Sequence, residues 1–139
     1  MLLFRGGWKP DFMNKTILLI EDNEQNRYLV TFLLEKRGYV VVAAFDGKSG
    51  IKMANTIRPI AILLDIQLPE TDGYEVARTL RGSPTQRDTT IIAVTSYAMS
   101  GDREKALAAG CNGYIEKPIN PATFVSEIES FIQPRGLVM

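Results

Sequence analysis

The chain has 139 residues, of which 45% are hydrophobic and 23% are charged, and this suits one globular domain. Sixteen basic residues balance sixteen acidic ones, so the bulk charge predicts no nucleic-acid partner. The absence of histidine excludes histidine-ligated metals, Ser-His-Asp triads and a phosphohistidine within the chain. The single cysteine, Cys111, excludes an intrachain disulfide and favours a cytoplasmic location. No apolar run approaches the roughly 20 residues of a membrane-spanning helix, so no membrane partner is expected.

The first 13 residues do not share the pattern of the rest of the chain. They contain two glycines, one proline and the only tryptophan, without helical or strand periodicity. We interpret residues 1–13 as an N-terminal extension, residues 14–133 as the domain, and residues 134–139 as a short tail with no output domain. Two alternatives stay open for the extension: it is disordered, or Trp8 and Phe12 dock on the domain.

Five short apolar runs rich in β-branched residues alternate with segments of helical spacing. Strands are predicted at Thr16–Ile20, Tyr39–Ala43, Ile60–Leu64, Thr90–Val94 and Gly113–Ile115. Helices are predicted at Glu24–Arg37, Gly47–Ile57, Gly73–Arg81 and Gly101–Ala109, with a fifth that has Asn120 as its N-cap and Pro121 as its first residue. In the first helix, Tyr28 and Phe32 are expected to set the apolar face. This alternation predicts an α/β fold of the flavodoxin-like (βα)5 type, a doubly wound five-stranded parallel sheet with strand order 2-1-3-4-5.

Polar side chains follow four of the predicted strands. Ligands of open parallel sheets bind beyond the carboxyl ends of the strands, so these side chains are expected to converge there. Three crowded carboxylates repel one another, and a hard divalent cation such as Mg²⁺, which prefers oxygen ligands, relieves that repulsion. An adjacent lysine and a threonine hydroxyl would bind phosphoryl oxygens, which predicts an aspartate nucleophile in phosphoryl transfer. The residues are Glu21, Asp22, Asp65, Thr95 and Lys117.

The sequence around these residues resembles response-regulator receiver domains of two-component systems, most closely the stand-alone regulators of the DivK type. The matching stretches are ILLIEDNEQN, LLDIQLPETDGYEV, IIAVTSYAMSGD and AAGCNGYIEKPI. The resemblance implies that Asp65 accepts a phosphoryl group from a sensor histidine kinase or a histidine phosphotransfer protein. It also implies a Mg²⁺ site formed by Glu21, Asp22, Asp65 and the main-chain carbonyl of Gln67.

The resemblance further assigns a switch and an output surface. It implies that Thr95 and Lys117 bind the phosphoryl group and that Tyr114 moves inward when Thr95 reorients. The output would be a protein contact on the face formed by the fourth helix, the fifth strand and the fifth helix. By the same resemblance, Gln67 and Tyr97 influence the phosphoryl lifetime, and the bond between Lys117 and Pro118 is expected to be cis.

Several alternatives remain open at this point. Asp22 could cap the first helix, with Gln25 completing a capping box. The domain could derive from a hybrid histidine kinase or a phosphorelay rather than act alone. An aspartate-nucleophile phosphatase is disfavoured because Gln67 stands where such an enzyme needs a second acid. A flavodoxin-like or dinucleotide binder is disfavoured because the chain has no G-x-G-x-x-G motif. We therefore expect a signalling protein whose only chemistry is its own phosphorylation and dephosphorylation.

Overall fold

Residues 14–96 and 99–132 are described by the structure, a computed structural model of the chain. The expectations for residues 1–13, Tyr97 and residues 134–139 lie outside the described residues. Within the described ranges, every helix is too short or too polar to cross a membrane.

Five parallel strands form one sheet, and a helix follows each strand. The strands are β1 (Thr16–Ile20), β2 (Val40–Ala44), β3 (Ala61–Asp65), β4 (Thr90–Thr95) and β5 (Gly113–Glu116). The helices are α1 (Glu24–Lys36), α2 (Gly47–Ile57), α3 (Gly73–Gly82), α4 (Asp102–Ala108) and α5 (Phe124–Phe131). The strand order is β2-β1-β3-β4-β5, which confirms the predicted flavodoxin-like fold.

The sheet has a hydrophobic core on each face. Alternate residues of the central strands point to opposite faces, and each set packs against different helices. On one face, Leu18, Ile62 and Leu64 belong to a cluster that includes residues of α2, α3 and α4. On the other, Ile17 and Leu63 cluster with residues of α1 and α5. Every residue of β3 is buried, which explains its continuous apolar sequence and makes it a rigid support for the residue at its end.

The predicted apolar face of α1 is wrong. Val30 and Leu34 pack into the core, whereas Tyr28 is 75% exposed and Phe32 is 53% exposed. Both pairs have the same spacing of four residues, so periodicity alone does not choose between them. The aliphatic pair faces the sheet, and the two aromatic residues remain on the solvent side.

The start of α5 also differs from the prediction. Asn120 does accept a hydrogen bond from the Ala122 N–H at 3.0 Å, as an N-cap side chain would. The chain from Pro121 to Thr123 nevertheless forms a turn, and the regular helix begins only at Phe124. The capping signal therefore marks the turn that leads into the helix rather than the helix itself.

Candidate functional site

The strand register brings the predicted site residues to one edge of the sheet. Ile20 pairs with Leu64, so Glu21 and Asp65 follow at the same level on adjacent strands. On the other side of β3, Asp65 pairs with Val94, and Thr95 follows at the end of β4. Lys117 follows β5, and its N–H donates to the Thr95 carbonyl at 2.8 Å. The convergence predicted from sequence is therefore present in the structure.

A buried ion-pair network joins three of these residues. Lys117 Nζ lies 2.9 Å from Glu21 Oε1 and 3.6 Å from Asp65 Oδ2. Glu21 is 3% exposed and Asp65 is 5% exposed, so solvent screens these charges weakly. The second Glu21 oxygen, Oε2, accepts a hydrogen bond from the Asn23 N–H at 3.2 Å, so both oxygens of this carboxylate have a partner. One ammonium group therefore faces two buried carboxylates.

Asp22 lies beside this network but has a different environment. Its side chain is exposed and accepts no hydrogen bond from residues 14–96 or 99–132. The cap of α1 is Asn23, whose side chain accepts the Asn26 N–H at 2.8 Å, so the capping alternative for Asp22 is wrong. Glu21, Asp22 and Asp65 each offer an oxygen within 4.8 Å of the others, a grouping that could hold a metal ion.

The electrostatics of Asp65 reflect its crowded surroundings. Its pKa is raised from 3.8 to about 6, with burial as the largest cause. The Gln67 N–H, which donates to Asp65 Oδ1 at 2.9 Å, opposes this rise. Glu21 adds to the rise, and Lys117 opposes it. A raised carboxyl pKa means that the charged form is disfavoured here, and a bound cation would relieve that penalty.

Thr95 is held by a side chain from the loop after β3. The Gln67 amide donates from Nε2 to Thr95 Oγ1, while its Oε1 accepts the Ser96 N–H at 3.0 Å. The two hydrogen bonds hold Gln67 against the end of β4. The residue Thr95 is 1% exposed. Its hydroxyl accepts a hydrogen bond from Gln67 and does not contact the acidic cluster. Any ligand that recruits this hydroxyl must compete with Gln67.

Tyr114, the predicted aromatic switch, is buried in β5. The residue is 7% exposed, and its phenolic oxygen has no hydrogen-bond partner in the described part of the chain. The Arg103 guanidinium carbon lies 5.6 Å from the ring centroid. The ring is therefore inside the protein while Thr95 remains bound to Gln67, and a movement of Tyr114 stays a prediction.

The loops around Asp65 complete the site. The peptide bond between Lys117 and Pro118 is cis in the structure, as the resemblance implied.

The loop after Asp65 leads closely into α3. Gly73 donates its N–H to the Ile66 carbonyl at 3.2 Å, and a Cβ at position 73 would lie 2.5 Å from Ile66 Cα. Asp72, although equally acidic, accepts the Tyr74 N–H and caps α3. Its location in a helix cap separates it from the cluster around Asp65.

Sequence reasoning missed Arg27. Its Nη1 donates to the main-chain carbonyls of Glu21 at 3.0 Å and Asp22 at 2.8 Å. The guanidinium carbon also lies 3.9 Å from the centroid of the exposed Phe45 ring. The sequence does show a basic residue in the first turn of a helix that follows an acidic loop. One arginine in such a position is too common to indicate a functional role.

Strand order 2-1-3-4-5 is the flavodoxin-like order that CheY also has, and here an acidic cluster lies at the carboxyl ends of the strands. The family described as "Response regulator receiver domain" matches residues 17–129. The chain therefore belongs to the response-regulator receiver domain family, which confirms the resemblance found in its motifs.

Relatives of known name agree with this assignment. The polar-differentiation response regulator DivK of Brucella anthropi is 40% identical over 120 residues, which cover 86% of this chain and 98% of that protein. DivK of Brucella ovis is 39% identical with the same coverage. The predicted similarity to DivK-type regulators is thus confirmed over most of the chain.

Solved structures agree as well. The receiver domain of the sensor histidine kinase PA1611 from Pseudomonas aeruginosa superimposes with a TM-score of 0.78 at 38% identity, covering 86% of this chain and 98% of that one. That structure contains a magnesium ion coordinated in its active-site cleft. The chemotaxis protein CheY4 of Vibrio cholerae gives a TM-score of 0.80 at 25% identity, covering 85% and 98% of the two chains.

Proposed function

We propose that Asp65 accepts a phosphoryl group from the phosphohistidine of a sensor histidine kinase or a histidine phosphotransfer protein. The observation that carries the proposal is the environment of Asp65. Its carboxylate is buried at the end of a rigid strand, clusters with two other carboxylates, and has Lys117 Nζ 3.6 Å away. These 139 residues contain no histidine, so the proposed phosphohistidine donor cannot lie within them.

Mg²⁺ is the proposed cofactor because the donor set suits a hard cation. Asp22 and Asp65 offer carboxylate oxygens, and we propose the main-chain carbonyl of Gln67 as a further ligand. Glu21, whose oxygens are occupied by Lys117 and Asn23, would act through water. When bound, the cation would offset negative charge on the transferring group. The magnesium ion in the related PA1611 receiver domain supports the choice.

The proposed chemistry is an in-line displacement at phosphorus. An ionised Asp65 oxygen attacks the phosphorus, forming an O–P bond while the P–N bond breaks and the imidazole leaves with the electron pair. Asp65 is suited to this role because a pKa of about 6 leaves it mostly ionised at neutral pH. Lys117 would transfer its ion pair from the carboxylates to the phosphoryl oxygens. The side chains of Gln67 and Tyr97 would then influence how quickly water removes the group.

The proposed signal is a population shift that Thr95 and Tyr114 transmit to the surface of α4, β5 and α5. Capture of the Thr95 hydroxyl by the phosphoryl group would release it from Gln67. The surface formed by these elements contains a groove of about 430 Å³, lined in part by Arg103, Tyr114 and Phe131. This groove is a suitable place for a downstream protein to bind. A cytoplasmic location and a domain spanning residues 14–133 are parts of the same proposal.

The proposal is tested by phosphorylation with acetyl phosphate, followed by intact-mass measurement in Mg²⁺ and in EDTA. We expect one phosphoryl group in Mg²⁺, little in EDTA, and none in the Asp65→Ala variant. The Asp72→Ala variant is the matched control, because it removes a nearby aspartate that only caps α3. Labelling of Asp65→Ala at the wild-type level would overturn the assignment.

A second candidate keeps the same chemistry but changes the context. The similar PA1611 domain belongs to a sensor histidine kinase, so this domain could serve a hybrid kinase or a phosphorelay rather than act alone. Transfer of the phosphoryl group from Asp65 onward to a histidine phosphotransfer domain would favour that role. An aspartate-nucleophile phosphatase has less support, because Gln67 supplies no acid and its amide is bound to Thr95 and Ser96.

A further inference from the structure

Arg27 joins the acidic loop to the edge strand of the sheet. Its Nη1 donates to two successive carbonyls, those of Glu21 and Asp22, at 3.0 and 2.8 Å. Its guanidinium lies against the ring of Phe45, with 3.9 Å between the guanidinium carbon and the ring centroid. Phe45 follows β2, and Glu21 follows β1, so one side chain spans the ends of two adjacent strands.

We propose that Arg27 is the positioning residue of the metal-binding loop and that Phe45 holds the guanidinium in place. The inference rests on the proposed Mg²⁺-dependent function and names the residues that orient its ligands. The two carbonyls bound by Arg27 belong to the residues whose carboxylates face the site. The Glu21 carbonyl lies in the peptide plane before Asp22 and the Asp22 carbonyl in the plane after it. Fixing both planes sets the direction in which the Asp22 side chain leaves the backbone.

The contact also matters for the orientation of the Asp22 side chain. Glu21 is held by its own contacts with Lys117 and the Asn23 N–H. The exposed Asp22 carboxylate has no such contact within residues 14–96 and 99–132, so only its backbone can orient it. A planar guanidinium stacked on an aromatic ring is well suited to this role, because stacking restricts its rotation.

Two opposite predictions separate positioning from simple electrostatics. A positive charge close to a cation site repels the cation, so charge alone predicts tighter Mg²⁺ binding when Arg27 is neutralised. Positioning predicts weaker binding, because the ligands lose their preset orientation. A lysine keeps the charge but cannot lie flat on Phe45, so charge alone predicts no change and positioning predicts a loss.

The experiment measures Mg²⁺ affinity by calorimetric titration of the full chain at constant ionic strength. We expect Arg27→Lys and Arg27→Gln each to weaken binding by about tenfold, the scale usual for residues that orient metal ligands. Phe45→Leu should weaken it less, because the two hydrogen bonds remain. Arg78→Gln is the matched control, since it removes an exposed positive charge on α3 and should leave the affinity unchanged. Unchanged affinity in Arg27→Lys, or tighter binding in Arg27→Gln, would overturn the inference.

Amide hydrogen exchange in the metal-free protein gives a second readout. The Asn23 N–H donates to Glu21 Oε2, so its exchange reports the order of the acidic loop. We expect faster exchange at Asn23 in both Arg27 variants and wild-type exchange in Arg78→Gln. Equal exchange in all variants would contradict the positioning role even if the wild-type chain bound no Mg²⁺. Failure of the wild type to bind Mg²⁺, by contrast, would contradict the proposed function itself.

Discussion

Neutralising Asp65 should stabilise the metal-free protein. The pKa of Asp65 is raised to about 6 in the folded chain, against an ordinary value of 3.8. A pKa difference of roughly two, at about 1.4 kcal/mol per pH unit, means that charging Asp65 lowers the free energy of unfolding by about 3 kcal/mol. The Asp65→Asn variant keeps an oxygen that can accept the Gln67 N–H but carries no charge. It should therefore be more stable than the wild type by up to about 3 kcal/mol at pH 8, or roughly 10 °C in melting temperature.

The pH dependence gives the sign of this effect. Because the folded pKa lies above the unfolded one, the folded state binds the Asp65 proton more tightly. The wild type should lose stability relative to the variant as the pH rises from about 4 to 6, and the difference should be constant above about 7. The assay is urea unfolding of both proteins in EDTA from pH 4 to 8. A difference that does not change with pH, or a variant less stable at pH 8, would refute the reasoning.

Three further substitutions test individual contacts. Gln67→Ala frees the Thr95 hydroxyl from a hydrogen bond worth about 1 kcal/mol. Beryllofluoride, a phosphoryl analogue, should therefore bind about fivefold more tightly in an NMR titration. Weaker binding would contradict the idea that Gln67 competes with the phosphoryl group for Thr95. Gly73→Ala places a Cβ 2.5 Å from Ile66 Cα and should destabilise the fold by about 2 kcal/mol in urea unfolding; an unchanged midpoint would show that the loop adapts. The Arg81 guanidinium donates to four main-chain carbonyls and to the Asn112 side chain, and Arg81→Lys loses this set of contacts. The substitution should lower the free energy of unfolding by about 2 to 3 kcal/mol. A melting curve identical to that of the wild type would disprove this.

The sheet could be predicted because its strands are buried on both faces. Such strands are short apolar runs whose ends are marked by polar residues, and the bounds of β1 and α2 agree with the structure to the residue. Strand β3 has the predicted length but begins and ends one residue later than predicted, and Asp65 pairs with Val94 at its end. The face of α1 could not be predicted, since two residue pairs shared the same spacing.

The proximity of Glu21, Asp65, Thr95 and Lys117 could also be predicted, because parallel strands bring the residues at their carboxyl ends together. The contacts between these residues could not be predicted from the sequence. Lys117 pairs more closely with Glu21 than with Asp65, and Gln67 reaches across to Thr95. Such contacts depend on loop paths and rotamers that no spacing rule encodes. Arg27 was missed for the same reason, because its partners are main-chain carbonyls, which every residue has.

The most direct test of the account is to locate the phosphoryl group after transfer from a phosphorylated histidine phosphotransfer domain. Peptide mass spectrometry of the wild-type chain would identify the modified residue. We expect a single phosphoryl group on the peptide that contains Asp65, dependent on Mg²⁺ and absent from Asp65→Asn. A phosphoryl group found instead on Asp72, or on any other carboxylate, would contradict the claim that the end of β3 is the phosphorylation site.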